Sequence, residues 1–261
     1  MQDKIVAIIQ ARMSSTRLPG KVLMPIAGKP MLWHVVNRAE KAKFIDQVVV
    51  ATSVEKNDDE IAEFCRKNNI DVFRGSEKNV LDRYYQCAKK YRADIVVRIT
   101  ADCPLIDPKI IDKSIKSYLK GNFDYIGVLT GAGSFKSKDK KYPDGMDCEV
   151  FAFQSLEKAY REATSNKERE HVTVYIWRNP NSFKIGKLKS IKDYSNIRLT
   201  VDYKEDFDLI RKIYKELYFK NKFFGLSDII SLVKDRPEFL KINQRYIGQE
   251  GYEKLWKKKA I

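Results

Sequence analysis

Short apolar runs alternate, over the first hundred positions, with longer segments in which apolar residues recur every three or four. The runs are KIVAIIQ (4–10), DQVVVAT (46–52), DVF (71–73) and DIVVRIT (94–100). Rich in β-branched residues, they read as strands. Between them lie KPMLWHVVNRAEKAK (29–43), NDDEIAEFCRKNN (57–69) and NVLDRYYQCAKKY (79–91), with the spacing of amphipathic helices; Asn79 or Asp82 caps or begins the third. Strand–helix alternation of this kind predicts parallel pairing through right-handed crossovers, an α/β, doubly wound, mostly parallel sheet. Ligands in such sheets sit beyond the carboxyl ends of the strands, where ARMSSTRLPGKVL (11–23) and TADCPLID (100–107) fall.

Past residue 120 the pattern loosens. EVFAF (149–153), SFKIGKL (182–188) and IRLTV (197–201) read as strands, 154–163 and 168–178 as helices, and KEDFDLIRKIYKELYF (204–219) as a long helix. GAGSFKSKDKKYPDG (131–145) reads as a mobile loop. These assignments predict one catalytic unit over 1–221 and a helical tail over 222–261 packed on it. There is no internal repeat and no linker that forces a second domain.

Composition narrows the class. The 261 residues are 43% hydrophobic and 33% charged, as in a soluble globular chain. No apolar run approaches the ~20 residues that span a bilayer, so no membrane insertion is expected, and MQDKIVAII lacks the order of a secretory signal. Cys65, Cys87, Cys103 and Cys148 form no Cys-x-x-Cys pair and read as reduced residues of a cytoplasmic protein. The net charge of +15 admits a nucleic-acid binder or an enzyme of small polyanions. The lysines fall in scattered pairs among acids, with no recognition helix or basic-aromatic repeat, so no specific nucleic-acid partner is expected.

The first loop carries the clearest chemistry. A polyphosphate is bound by backbone N–H groups, guanidinium forks and a lysine point charge. Arg12, Lys21 and the backbone of 13–16 would supply all three, and Pro19-Gly20 would stiffen the exit. Neither a Walker loop nor a Gly-x-Gly-x-x-Gly turn is present.

QARMSSTRLPGKVL (10–23) closely resembles the opening signature of the cytidylyltransferases that make CMP-activated sugar acids, and within them the spore coat polysaccharide biosynthesis protein F-like family. The likeness continues, in order, through RGSEKNVLDRYYQCAKKY (74–91), RITADCPLIDP (98–108), DGMDCEV (144–150), EREHVTVYI (168–176) and RLTVDYKEDF (198–207). It implies the nucleotide-diphospho-sugar transferase architecture (GT-A-like, Rossmann-type), CTP as substrate, Mg²⁺ as cofactor and a homodimer. It further implies that acids at the positions of Asp102 and Asp202 hold the metal. Nucleotide contacts would come from Gln10, Ala11, Arg12, Ser14, Ser15, Arg17 and Lys21, from Ser53 and Arg74 (with Ser76) near the base, and from Ala101. Gln10 stands where the sugar-acid synthetases commonly carry proline, and Ala101 where relatives often carry glycine.

Nucleotidyl transfer asks for positioning and charge stabilisation, so Arg12, Lys21 and Asp102 are the expected catalytic groups. An anionic sugar-like acceptor would meet Asp144, Asp147 and Glu149, the last two on one face of a strand, and His171. His34 reads as packing. Two other functions fit parts of the pattern. A glycosyltransferase of the same fold class would show an Asp-x-Asp pair, which 100–107 does not supply, and a polyanion binder would use only the charge.

Overall fold

The computed structural model describes residues 3–131 and 137–248. Its first half follows the alternation of the sequence. Strand β1 (Ile5–Gln10) leads through a small hairpin, β2 (Pro25–Ile26) and β3 (Lys29–Pro30), into helix α1 (Met31–Ala39). Then come β4 (Gln47–Ser53), α2 (Asp59–Lys67), β5 (Asp71–Gly75), α3 (Val80–Lys90) and β6 (Ile95–Thr100). Asn79 caps α3, its Oδ1 accepting from the Asp82 amide at 3.0 Å, so the capping residue is Asn79 and not Asp82.

The second half runs α4 (Pro108–Gly121), β7 (Tyr125–Val128), β8 (Glu149–Ala152), α5 (Phe153–Glu162), α6 (Asn166–Glu170), α7 (Val174–Arg178), β9 (Ile185–Leu188), α8 (Lys204–Leu217) and α9 (Leu226–Asp235). The hydrophobic pattern assigned no element to 108–128. Its signals were nevertheless present: Asp107 accepts from the Lys109 amide as N-cap, Pro108 opens the helix, and Asn122 turns left-handed (φ 47°) to end it. The helix expected over 168–178 is two short ones, because Val172 sits at φ 55° and breaks the ladder. Of the expected tail, 249–261 lie outside the described residues, as do 132–136 of the expected loop. The rest of the tail holds α9 and two single turns, and its Phe224, Ile229 and Phe239 lie in the main core.

Seven strands form one sheet in the order β5-β4-β1-β6-β8-β7-β9. β5, β4, β1 and β6 are parallel; β8 runs antiparallel between β6 and β7. Successive residues of β1 serve opposite layers. Ile5, Ala7 and Ile9 belong to the core layer that also holds α1, α4, α8 and α9, whereas Val6 and Ile8 belong to the layer that holds α3, α5 and α7. Covering both faces is what a parallel sheet requires, and each fully buried Ile or Val contributes about 1.5–3 kcal/mol.

One expected strand is absent. IRLTV (197–201) lies extended but joins no ladder. The Asp144 amide donates to the Ile197 carbonyl and the Leu199 amide to the Asp144 carbonyl, while the Val201 amide donates to the Asp102 carbonyl. Its backbone thus serves two different loops rather than one parallel neighbour. The outcome for the site is still convergence, since Asp202 is delivered beside Asp102.

Candidate active site

β1, β4 and β6 end at the same rim, and the loop after β1 is built against the turn after β4. Buried Asp58 makes the join: its Oδ1 accepts from the Met13 amide at 2.7 Å, and its Oδ2 from the Ser53 amide and hydroxyl at 3.1 and 2.5 Å. The Ser15 hydroxyl accepts from the Leu18 amide, and both the Ser15 and Gly20 amides donate to the Met13 carbonyl. The Met13 and Ser15 N–H groups are therefore spent inside the loop rather than presented to a ligand. Gly20 takes φ 70°, which a side chain would resist, and it launches the turn that carries Lys21 inward.

Lys21 is 7% exposed, and its ammonium sits between two carboxylates. Nζ lies 3.0 Å from Asp202 Oδ1, 3.4 Å from Asp102 Oδ2 and 2.5 Å from the Val201 carbonyl. Burial alone would lower its pKa; the two aspartates raise it above the usual lysine range. Arg17 reaches Asp202 Oδ1 at 2.7 Å while lying over the Tyr203 ring. Behind them Arg198, 2% exposed, donates to Asp144, Asp202 and Asp206 at 2.9 Å each. Burial would push the Asp202 carboxyl up, but Lys21, Arg17 and Arg198 bring it down to about 2.

These groups form one wall of a cleft of about 290 Å³. Gln10, Ala11, Arg12, Ser15, Arg17, Lys21, Ala101, Asp102, His171 and Asp202, all expected from the sequence, line it. Others do not. Arg74 donates to the Ser53 and Glu55 carbonyls and pairs with Asp59, so it latches the turn after β4. The Ser53 hydroxyl is taken by Asp58, and Ser14 bonds Glu77. Asp144 is held by Arg198, and Asp147 by the Thr130 hydroxyl at 2.6 Å and the Gly145 amide at 3.0 Å. Burial raises both carboxyls, Asp147 to about 6. Glu149 accepts from Arg98 at 2.6 Å, the Tyr125 hydroxyl at 2.5 Å and Thr173. Of the three acids expected at the acceptor, Asp144 and Glu149 are buried and Asp147 half-buried, each is held by other protein groups, and none lines this cleft.

A cytidylyltransferase family model matches residues 6–229. The chain belongs to that family. It is 33% identical over 243 residues to the spore coat polysaccharide biosynthesis protein SpsF of Bacillus subtilis, covering 90% of this chain and 96% of that one. It is 41% identical over 216 residues to the 3-deoxy-manno-octulosonate cytidylyltransferase of Geobacter metallireducens, covering 78% and 76%. A solved cytidylyltransferase from Leptospira borgpetersenii superposes with a TM-score of 0.83 at 36% identity, over 92% of this chain and 97% of that one. Membership makes the protein a nucleotidyltransferase and agrees with the α/β architecture.

The cleft of this cytidylyltransferase holds residues that the sequence pattern did not single out. Arg83, on α3, is 2% exposed, makes one hydrogen bond, to the Ser76 carbonyl, and leaves Nε unpartnered among the described residues. Burial lowers its pKa, with the Arg12 charge nearby adding to the effect. Gly75 makes room for it, since a Cβ there would come within 3.1 Å of the Arg83 stem. Arg98, Thr100 and Glu170 also line the cleft, with Thr16, Val22 and Val80. Burial holds the His171 imidazole below its usual range.

The donor set suits a hard divalent cation. Asp102 and Asp202 offer only oxygen, already share one cationic atom, and match the one or two carboxylates that Mg²⁺ takes beside water and phosphate oxygens. Among the described residues no group of three or more His, Cys, Asp or Glu converges as a metal cage.

Proposed function

We propose that this cytidylyltransferase transfers CMP from CTP to a hydroxyl of an anionic sugar-like acceptor, releasing pyrophosphate, in the synthesis of a surface polysaccharide or glycan. The observation that carries the reading is the cationic and acidic wall: Lys21 poised between Asp102 and Asp202, with Arg12 and Arg17 on the same cleft. A triphosphate needs the cations, and the carboxylates serve the cation that accompanies it. Asp102 and Asp202 would hold Mg²⁺, which neutralises phosphate charge when bound.

Lys21 and Arg12 face the phosphates and stabilise the charge that passes to the departing pyrophosphate. Arg17 leaves or keeps Asp202 according to what the phosphates demand. The acceptor hydroxyl oxygen attacks the α-phosphorus as its proton passes to solvent, and the bond from the α-phosphorus to the oxygen bridging it to the β-phosphorus breaks, that oxygen leaving with the pyrophosphate. Arg98 and His171, which line the same cleft, recognise the acceptor's anionic group and hydroxyls. Glu149 fixes Arg98 from behind. The sugar-acid class of acceptor is supported by the likeness to the Geobacter 3-deoxy-manno-octulosonate enzyme.

CTP with Mg²⁺ should raise the melting temperature selectively over UTP, ATP and GTP. At a hundredfold excess over Kd the gain is about 2.7 kcal/mol. Asp102→Asn should weaken the Mg²⁺-dependent part, and adding a sugar acid should then release pyrophosphate. No shift with any triphosphate would sink the reading.

Arg83, rather than Arg74, is the arginine the cleft presents to the acceptor edge of cytosine. Replacing it with Met should cut kcat/KM for CTP by roughly 10–100-fold while leaving UTP nearly unchanged, since a hydrogen bond to a charged group is worth about 1.5–3 kcal/mol. Equal losses for both nucleotides would assign Arg83 to the phosphates instead.

A further inference from the structure

Asn243, Arg245 and Tyr246 support the cationic wall from behind, and all lie beyond residue 229, where the family match ends. Asn243, 1% exposed, donates through Nδ2 to the Arg198 carbonyl at 3.0 Å and to Asp206 Oδ1 at 2.8 Å. Asp206 is the hub of that corner: it holds Arg198, and its Oδ2 accepts from the Asp202 and Tyr203 amides at 3.0 Å each. Tyr246 lies flat on Tyr203, with ring centroids 3.9 Å apart and planes within 5°. Tyr203 in turn lies 5.3 Å from the Arg17 guanidinium. Arg245 sits 4.8 Å from the centre of the Tyr246 ring, donates to the Tyr246 hydroxyl at 2.6 Å and, with that hydroxyl, binds Glu205.

The result is a continuous run of contacts from Arg17 on the phosphate loop, over the stacked Tyr203 and Tyr246 rings, to Arg245 in the C-terminal segment. We infer that Tyr246 is a positioning residue for nucleotide binding, acting through Tyr203 on Arg17, while Asn243 fixes the backbone from which Asp202 projects. Tyr246 touches no part of the cleft itself. What it supplies is order: a guanidinium on a supported ring has fewer places to go, and so less entropy to lose when phosphates arrive. A face-stacked aromatic pair is worth up to roughly tenfold in an equilibrium constant. The inference rests on the proposed use of CTP for its kinetic arm only.

The test compares Tyr246→Ala, Tyr246→Phe, Arg17→Ala and the Arg17→Ala/Tyr246→Ala pair. Tyr246→Ala should lower kcat/KM for CTP roughly five- to tenfold, and Tyr246→Phe, which keeps the ring, should stay near wild type. In the Arg17→Ala background the same change should have almost no further effect, because residues acting as a unit are not additive. Amide hydrogen exchange over 14–20 in nucleotide-free protein should also quicken in Tyr246→Ala, with the core helices unchanged. An undiminished loss in the Arg17→Ala background, or unaltered loop exchange, would overturn the inference. The exchange arm needs no turnover, so a wild type that releases no pyrophosphate would sink the functional reading and still leave the positioning role decided.

Discussion

Lys21→Ala should cut kcat/KM for CTP by about 10²–10³-fold, the scale of losing one preorganised charge contact to a transition state, or about 2.7–4 kcal/mol. Three oxygens hold this ammonium in place before any substrate arrives, at 2.5, 3.0 and 3.4 Å. Its position therefore costs no reorganisation during reaction, and the low dielectric of a buried site strengthens its pull on phosphate oxygens. Its removal also leaves Asp102 and Asp202 facing each other across the gap, so the Asp202 carboxyl loses the largest of the charges that bring it down to about 2. Pyrophosphate release gives the rate, and a thermal melt shows whether the fold survived. A folded variant within threefold of wild type would remove Lys21 from the chemistry.

The sequence made the parallel half of the fold legible because β1, β4 and β6 are apolar runs flanked by helices with clear three-and-four spacing. β7 and α4 escaped for opposite reasons. β7 is only four residues long, and α4 lies directly behind TADCPLID, a stretch that reads as loop although Asp107 and Pro108 announce a helix. Arg12, Lys21, Asp102 and Asp202, which the structure brings to one cleft, were legible because each stands in a distinct motif, Arg12 and Asp102 just past the ends of β1 and β6. Arg98 was recoverable in principle: a charge in the middle of IVVRIT on a central strand has to be paired, as it is with Glu149. Arg83 gave a weaker sign, falling within the stripe of Val80, Tyr84 and Cys87. Asp144, Asp147 and Glu149 misled because spacing shows a common neighbourhood and says nothing of depth. Asn243 and Tyr246 could not be read at all, since the partners that tie them to this corner lie 37 or more positions upstream.

The other large effect concerns stability. Arg198→Leu should destabilise the protein by about 3–5 kcal/mol at pH 7, the cost of leaving buried charge without its partner. In a chain of this size that corresponds to a fall in Tm of roughly 6–20 °C. Asp144, Asp202 and Asp206 all surround the one guanidinium. Burial already drives Asp144 well above the carboxylate range with Arg198 present, so its loss pushes that carboxyl further up. The pH dependence has a definite sign. Asp202, held to about 2 when folded against about 3.9 when unfolded, contributes stability that is complete above its unfolded pKa and disappears as pH falls towards 2. Arg198→Leu forfeits its share of that contribution, so wild type and variant should differ most near neutrality and converge below about pH 4. Urea melts from pH 3 to 8 measure this directly. A difference under 1 kcal/mol, or one independent of pH, would mean the three acids are sustained by something other than Arg198.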